Sequence, residues 1–407
     1  MAVLAVTFFG ASQPALVHAE TKIVPSAAVS GRYDSNIFRR PAQFLPAGTQ
    51  TEDFATTIGG AVGLLHETRD IDVNFKVGGS FNAYVENTNF NFFTANVDGI
   101  VGLDRWVDQY VRGARLRLTQ HFLYTPETPG FVTGGRDVGL GLQQDDLFLR
   151  GIQTFRANTF INTTTLTGAY PVSRDLSLEG GYTFGLRRVG QLLAATAGEP
   201  AFFNTMSHTW HGGPRYRLTK NDSVAVLYRQ SFITQSRSTG GRTFNTNFVT
   251  LAGDYTKVFQ EWTFTIEGGI TFIEPASRTT PSGSMKITTR PERDTVLSFI
   301  LSREARPSYF LQGGATISNL GRVAISHTIY ERLTLDGTVA YGYNELFPST
   351  DRTFKNFTAS SGLSYKLTRN IAGNLFYIFT NVDADSTSLS YQFSRHQAGI
   401  AFTAEWN

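Results

Sequence analysis

The chain has 407 residues, 36 Lys and Arg against 33 Asp and Glu, a formal net charge of +3, and no cysteine. Absent cysteine excludes disulfides, thiolate metal sites, haem attachment through Cys-x-x-Cys-His and cysteine catalysis within this chain, and a small net charge without a basic stripe argues against a nucleic-acid partner. Hydrophobic residues make up 41%, with 33 Phe, 16 Tyr and 39 Gly against 3 Met; no run approaches the ~18 to 20 apolar residues of a membrane helix, so the composition favours strands and tight turns.

Residues 1–19, MAVLAVTFFGASQPALVHA, hold an apolar stretch and end in Val17-His18-Ala19, a small-residue cleavage pattern followed by polar Glu20-Thr21-Lys22. They read as a secretory signal peptide, leaving 20–407 as a single structural domain. From there, segments of about ten residues alternate apolar and polar side chains, the period of a strand between two environments. Ile71, Val73, Phe75, Val77 and Phe81 oppose Asp72, Asn74, Lys76, Ser80 and Asn82. Leu176, Leu178, Tyr182, Phe184 and Leu186 oppose Ser177, Glu179 and Thr183; Trp262, Phe264, Ile266, Ile270 and Phe272 oppose Thr263, Thr265, Glu267 and Thr271.

Between such segments one turn phrase recurs: HETRDI from His66, YPVSRDL from Tyr170, YRLTKND from Tyr216, YERLTLDG from Tyr330 and YKLTRNI from Tyr365. Short turns fall near 66–70, 104–109, 171–175, 217–222, 256–261, 290–294, 331–335 and 366–370. Longer polar segments fall near 34–52, 85–90, 124–156, 188–204, 234–244, 274–283, 304–316, 344–354 and 381–389. Eight turns and nine loops connect eighteen strands. The polar faces are Thr, Ser, Asn and Gly rather than Lys and Glu, which suits a water-filled lumen. Tyr170, Tyr216, Tyr255, Trp262 and Tyr365 stand beside the turns, where an aromatic girdle would lie. The pattern predicts an all-β fold: a transmembrane antiparallel up-and-down β-barrel of about 18 strands, with short periplasmic turns and long outer loops. Eighteen strands ~4.8 Å apart and tilted ~40° close a backbone cylinder roughly 35 Å wide, too wide for side chains to fill.

Alternation directs Asp72, Lys76, Asp98, Arg115, Arg117, Glu179, Arg229 and Glu267 into the lumen as pore-lining residues, with Arg215, Asp254 and Asp336 beside them. Their near balance predicts little charge selectivity. The segment Thr125 to Asp146 is the candidate constriction loop and carries Arg136, Asp137, Asp145 and Asp146. Tyr84 and Phe131 are expected near the outer mouth as faces on which a sugar could stack. His208 and His211, three apart on a strand, point to opposite faces and do not converge on one metal ion. His121 is expected inward near Arg115 and Arg117, without a local Ser or Asp motif to make it a base. These patterns predict a non-enzymatic protein with no cofactor.

Two further phrases carry a resemblance. SGRYDSNIFRRP, Ser30 to Pro41, and the repeated Y-x-L-T-R/K turns resemble outer-membrane β-barrel porins found beside exopolysaccharide synthesis and export genes. QAGIAFTAEWN at the C-terminus resembles the closing strand of outer-membrane barrels, with Trp406 one place short of the end. The resemblance implies a conduit in the outer membrane of a Gram-negative bacterium, set in outer-membrane lipid and lipopolysaccharide. A secreted polysaccharide or small solutes would cross it, and a periplasmic export protein could be a partner. A general diffusion porin and a passive sheath around a partner protein are the alternatives.

Overall fold

The computed structural model describes residues 20–39, 41–42, 45, 47–126, 157–192, 203–237, 243–274, 276–308, 314–347, 352–386 and 391–406. The strands are β1 (Glu20–Asp34), β2 (Asp53–Glu67), β3 (Asp72–Tyr84), β4 (Phe92–Gly102), β5 (Arg115–Thr125), β6 (Ala157–Pro171), β7 (Leu176–Leu192), β8 (Phe203–Arg217) and β9 (Asp222–Arg237). They continue as β10 (Phe244–Val258), β11 (Trp262–Glu274), β12 (Arg278–Glu292), β13 (Thr295–Pro307), β14 (Ala315–Ile329), β15 (Leu333–Phe347), β16 (Arg352–Lys366), β17 (Ile371–Ser386) and β18 (Tyr391–Glu405). Each strand pairs antiparallel with the next, and β18 pairs with β1 from Ser26↔Glu405 to Asp34↔Gln397, so the eighteen-stranded sheet closes into a barrel. The expected signal peptide, 1–19, lies outside the described residues.

The recurrent turn phrase has a common chemistry. In four copies a hydroxyl at the same place, that of Thr68, Ser173, Thr219 or Thr368, accepts hydrogen bonds from the backbone N–H groups two and three residues on, at 3.0–3.4 Å. Each of these residues also donates its own N–H to the carbonyl three residues on. The side chain thus imitates a backbone turn. The copy at Tyr330 is built differently. Tyr330 and Glu331 both take positive φ, 51° and 60°, in a three-residue connection between the paired Ile329 and Leu333, and Thr334 belongs to β15.

Strands run from 11 to 17 residues, longer than the ten expected. The outward positions explain the difference. On β17 they read Ile371, Leu375, Tyr377 and Phe379 before turning to Asn381, Asp383 and Asp385; on β11 they are apolar from Trp262 to Phe272 and end at Glu274; on β10 Tyr255, Leu251 and Val249 give way to Asn247 and Asn245. About ten residues at ~3.3 Å rise and ~40° tilt span ~25 Å, the height of a barrel's apolar band. The remaining residues carry the wall beyond the bilayer on the outer side.

Two connections depart from expectation. The link between β4 and β5 spans 103–114 rather than a short turn at 104–109, and includes a one-turn helix, α1 (Asp104–Asp108). Its Asp104 carboxylate accepts the Leu116 N–H at 2.8 Å, and Arg105 reaches Glu67 and Asp72 at 3.4 and 3.7 Å. At 274–283, where a long loop was expected, β11 and β12 are joined through 275–277 and Arg278–Gly283 are strand. Pro281 is tolerated in this strand because β13 pairs with β12 only up to Gly283↔Arg303, leaving that stretch an edge.

Above this point the wall overlaps itself. Ile233, Phe248 and Ile273, on the lumen side of β9–β11, cluster with Ala315 and Ile317 of β14, and with Ala305 and Phe347. The latter four sit at outward-alternating positions, so the upper ends of β13–β15 lie on the lumen side of β9–β11. The Gln235 amide donates to the Ser308 carbonyl across this overlap, and the Arg278 guanidinium lies 5.2 Å from the Phe347 ring centre.

Candidate functional site

The lumen wall carries cross-strand pairs of hydroxyls and amides at several strand junctions. Thr57 bonds Asn82 at 2.6 Å, Ser80 bonds Thr94 at 2.6 Å, Thr165 bonds Thr183 at 3.1 Å, Thr209 bonds Ser231 at 2.9 Å and Thr250 bonds Thr271 at 2.9 Å. Each pair joins inward positions of neighbouring strands, where short polar side chains satisfy one another on a pleated face.

Charged residues on this wall come as matched groups. Lys76 and Asp98 are direct cross-strand neighbours, and Asp98 meets His121 at 2.6 Å and the Asn96 amide at 3.1 Å. Arg215 holds Glu179 through Nε at 2.9 and 3.0 Å and Asp254 through Nη1 at 2.7 Å. Arg229 and Glu267 stand 3.7 Å apart, with His211 directly opposite Arg229 on β8. Arg115, Arg117 and Asp72 project from the same face nearer the periplasmic rim, Asp72 within reach of Arg105. Pairing register puts the eight charged side chains assigned to the pore on the face of the sheet opposite the outward apolar residues. The pairing tempers their field, because a guanidinium between two carboxylates cancels most of what either would project. The constriction-loop residues Arg136, Asp137, Asp145 and Asp146, and Phe131, lie outside the described residues.

Tyr84 is not a sugar platform. It is 3% exposed, covered by Ile37 and Phe38 of the β1–β2 loop together with Phe92, and its hydroxyl accepts from Arg32 at 3.3 Å. The phrase DSNIF therefore describes a loop turned into the mouth of the barrel. Its hinge is Asp34, fully buried, which binds Arg395 of β18 through Nε at 2.8 Å and again through Nη2, accepts the Gln397 amide at 3.2 Å and caps the Asn36 N–H at 3.1 Å. This latch escaped the sequence because its partners are 361 residues apart. The Arg215 bridge escaped for a related reason: it reaches from β8 over the small Ala225 of β9 to β10. His208 faces outward and accepts or donates at Nδ1 to the Tyr182 hydroxyl at 2.7 Å, while His211 faces the lumen, so the two do not meet.

Residues 277–404, nearly a third of the chain, match the family model described as "Putative beta-barrel porin 2". Over those residues the chain is similar to that family of β-barrel porins. Closed strand topology and the outward apolar band put this barrel in the outer membrane of a Gram-negative cell, bounded by lipid, as a pore for solutes. No curated protein matches it in sequence. Among solved structures it is similar to the ferric enterobactin receptor PfeA of Pseudomonas aeruginosa, with TM-score 0.46, 8% identity and coverage of 94% of this chain and 80% of that one. It is similar to OccK2 (OpdF) of the same organism, with TM-score 0.44, 10% identity and coverage of 95% and 98%, and to OccAB4 of Acinetobacter baumannii, with the same four values. At these scores the likenesses lend no weight to a substrate.

Proposed function

We propose that this porin is a passive conduit for neutral, hydroxyl-rich molecules and that its cargo is a secreted polysaccharide. The lining carries the reading. Pairs of Thr, Ser and Asn offer exchangeable hydrogen bonds along the wall, while opposite charges stand side by side, as in Glu179–Arg215–Asp254 and Arg229–Glu267. Such a wall replaces part of a sugar's hydration without holding it, and gives neither cations nor anions a strong preference. The polymeric form of the cargo rests on the resemblance of SGRYDSNIFRRP and the repeated turns to porins of exopolysaccharide loci. In this reading residues 1–19 are removed on secretion, and a periplasmic export protein delivers the polymer to the rim of short turns.

The lining suits free diffusion of small sugars equally well, and this is the alternative. Deletion of the gene should abolish extracellular polysaccharide while leaving its synthesis intact, and the purified barrel in vesicles should pass neutral oligosaccharides. Unchanged polysaccharide with rapid sugar uptake would leave the diffusion porin standing; vesicles impermeable to any sugar would count against both.

A further inference from the structure

On the lipid-facing side of the barrel a groove of about 900 Å³ crosses β15–β18, β1 and β2. It follows the ladder direction. Leu335, Leu363, Leu375, Ile400, Gly31 and Thr56 are successive direct cross-strand partners and form one edge. The next outward rung, through Tyr377 and Tyr33 to Phe54, forms the other. Small side chains at Ser361, Ala398 and Gly31 keep the space between them open, and a Cβ placed on Gly31 would meet no atom within 4 Å.

The walls of the groove are fixed. The Tyr377 hydroxyl is tied to His396 Nδ1 at 2.8 Å, and Tyr33 packs on Phe54 at 5.3 Å while its hydroxyl bonds the Glu52 carboxylate. Because strands tilt, the groove climbs obliquely. It begins two residues from the periplasmic start of β15, at Leu335, and ends one residue from the outer start of β2, at Phe54. Its upper end, at Tyr33 and Phe54, is therefore at the outer-leaflet surface, and its apolar floor descends into the hydrocarbon.

We propose that this groove is a binding site for an acyl chain of lipid A from the outer leaflet, with the chain entering beside Tyr33 and Phe54 and lying along Leu375 and Ile400. The occupant follows from the groove's continuity with the lipid-facing band and from its course, which runs from the head level of the outer leaflet inward. A second copy of the barrel fits poorly: two convex walls touch along a line and leave a furrow this narrow unfilled.

The test uses the full-length barrel, reconstituted in vesicles holding lipid A and phosphatidylethanolamine in equal amounts, extracted gently and weighed by native mass spectrometry. The unaltered protein and Ala27→Phe, which adds bulk to the same outward face of β1 away from the groove, should retain a lipid A adduct. Gly31→Phe, which fills the groove, should lower that adduct at least fivefold. Folding is checked by the heat-dependent shift in gel mobility; should Gly31→Phe not fold, Ala398→Leu fills the groove from β18 and is judged by the same loss. An adduct unchanged by the filling substitution, an adduct of phosphatidylethanolamine alone, or a dimer that Gly31→Phe dissociates would each overturn the proposal.

Discussion

Asp34→Asn should be among the most damaging single substitutions in this barrel. Asp34 is 0% and Arg395 2% exposed, and the carboxylate takes two hydrogen bonds from the guanidinium and a third from Gln397. An amide in its place keeps the shape but removes the charge that Asp34 sets against the buried guanidinium, a change that costs about 3 to 5 kcal/mol when one partner of a buried pair is removed. Arg395→Met removes the guanidinium from the Asp34 carboxylate and should cost a similar amount. Removing both charges together restores the local balance, so the double variant should be less damaged than the sum of the two by about 2 kcal/mol. The latch joins the first strand to the last and anchors the loop bearing Ile37 and Phe38, so its loss opens the outer end of the closure rather than melting one hairpin. Urea unfolding in lipid vesicles, followed by tryptophan fluorescence and by gel mobility, measures these values. Single losses below about 1 kcal/mol, or strictly additive ones, would refute the view that this pair holds the closure.

Ile266 lies outward midway along the apolar run of β11, so Ile266→Arg should cost about 2 to 4 kcal/mol by the same unfolding measurement, whereas Thr265→Arg on the lumen side should fold normally; equal damage would mean the facing is wrong. Arg215→Met leaves Glu179 and Asp254 unmatched on the lumen wall. The reversal potential of single channels in a salt gradient should then move toward cation preference, and an unchanged potential would place the bridge away from the conducting path. A methyl group on Gly213 would sit 1.8 Å from the Val226 carbonyl oxygen, where the β8–β9 ladder skips Gly213 and Pro214. Gly213→Ala should therefore lower refolding yield several-fold on gel mobility, and a normal yield would show that β9 gives way freely.

Much of this barrel is written locally. Alternation assigns a face to each side chain, because neighbouring Cβ atoms on a strand must point apart, and so Lys76, Glu179 and Glu267 could be directed inward from sequence. The hydroxyls of Thr68, Ser173, Thr219 and Thr368 close hairpins within three residues of themselves, which makes the turns legible as a repeated phrase. Tertiary structure decided what alternation cannot encode: how far each strand continues past the bilayer and which residue stands beside which across strands not joined by a turn. Residues 274–283 read as loop because nothing local says that β12 continues past the end of β13 there. Tyr84 read as an exposed ring because nothing local says that Phe38 covers it. The Asp34–Arg395 latch, the overlap of β13–β15 on β9–β11 and the groove from Leu335 to Phe54 all depend on the stagger with which eighteen strands close, and stagger is a property of the whole ring that no single segment of the chain contains.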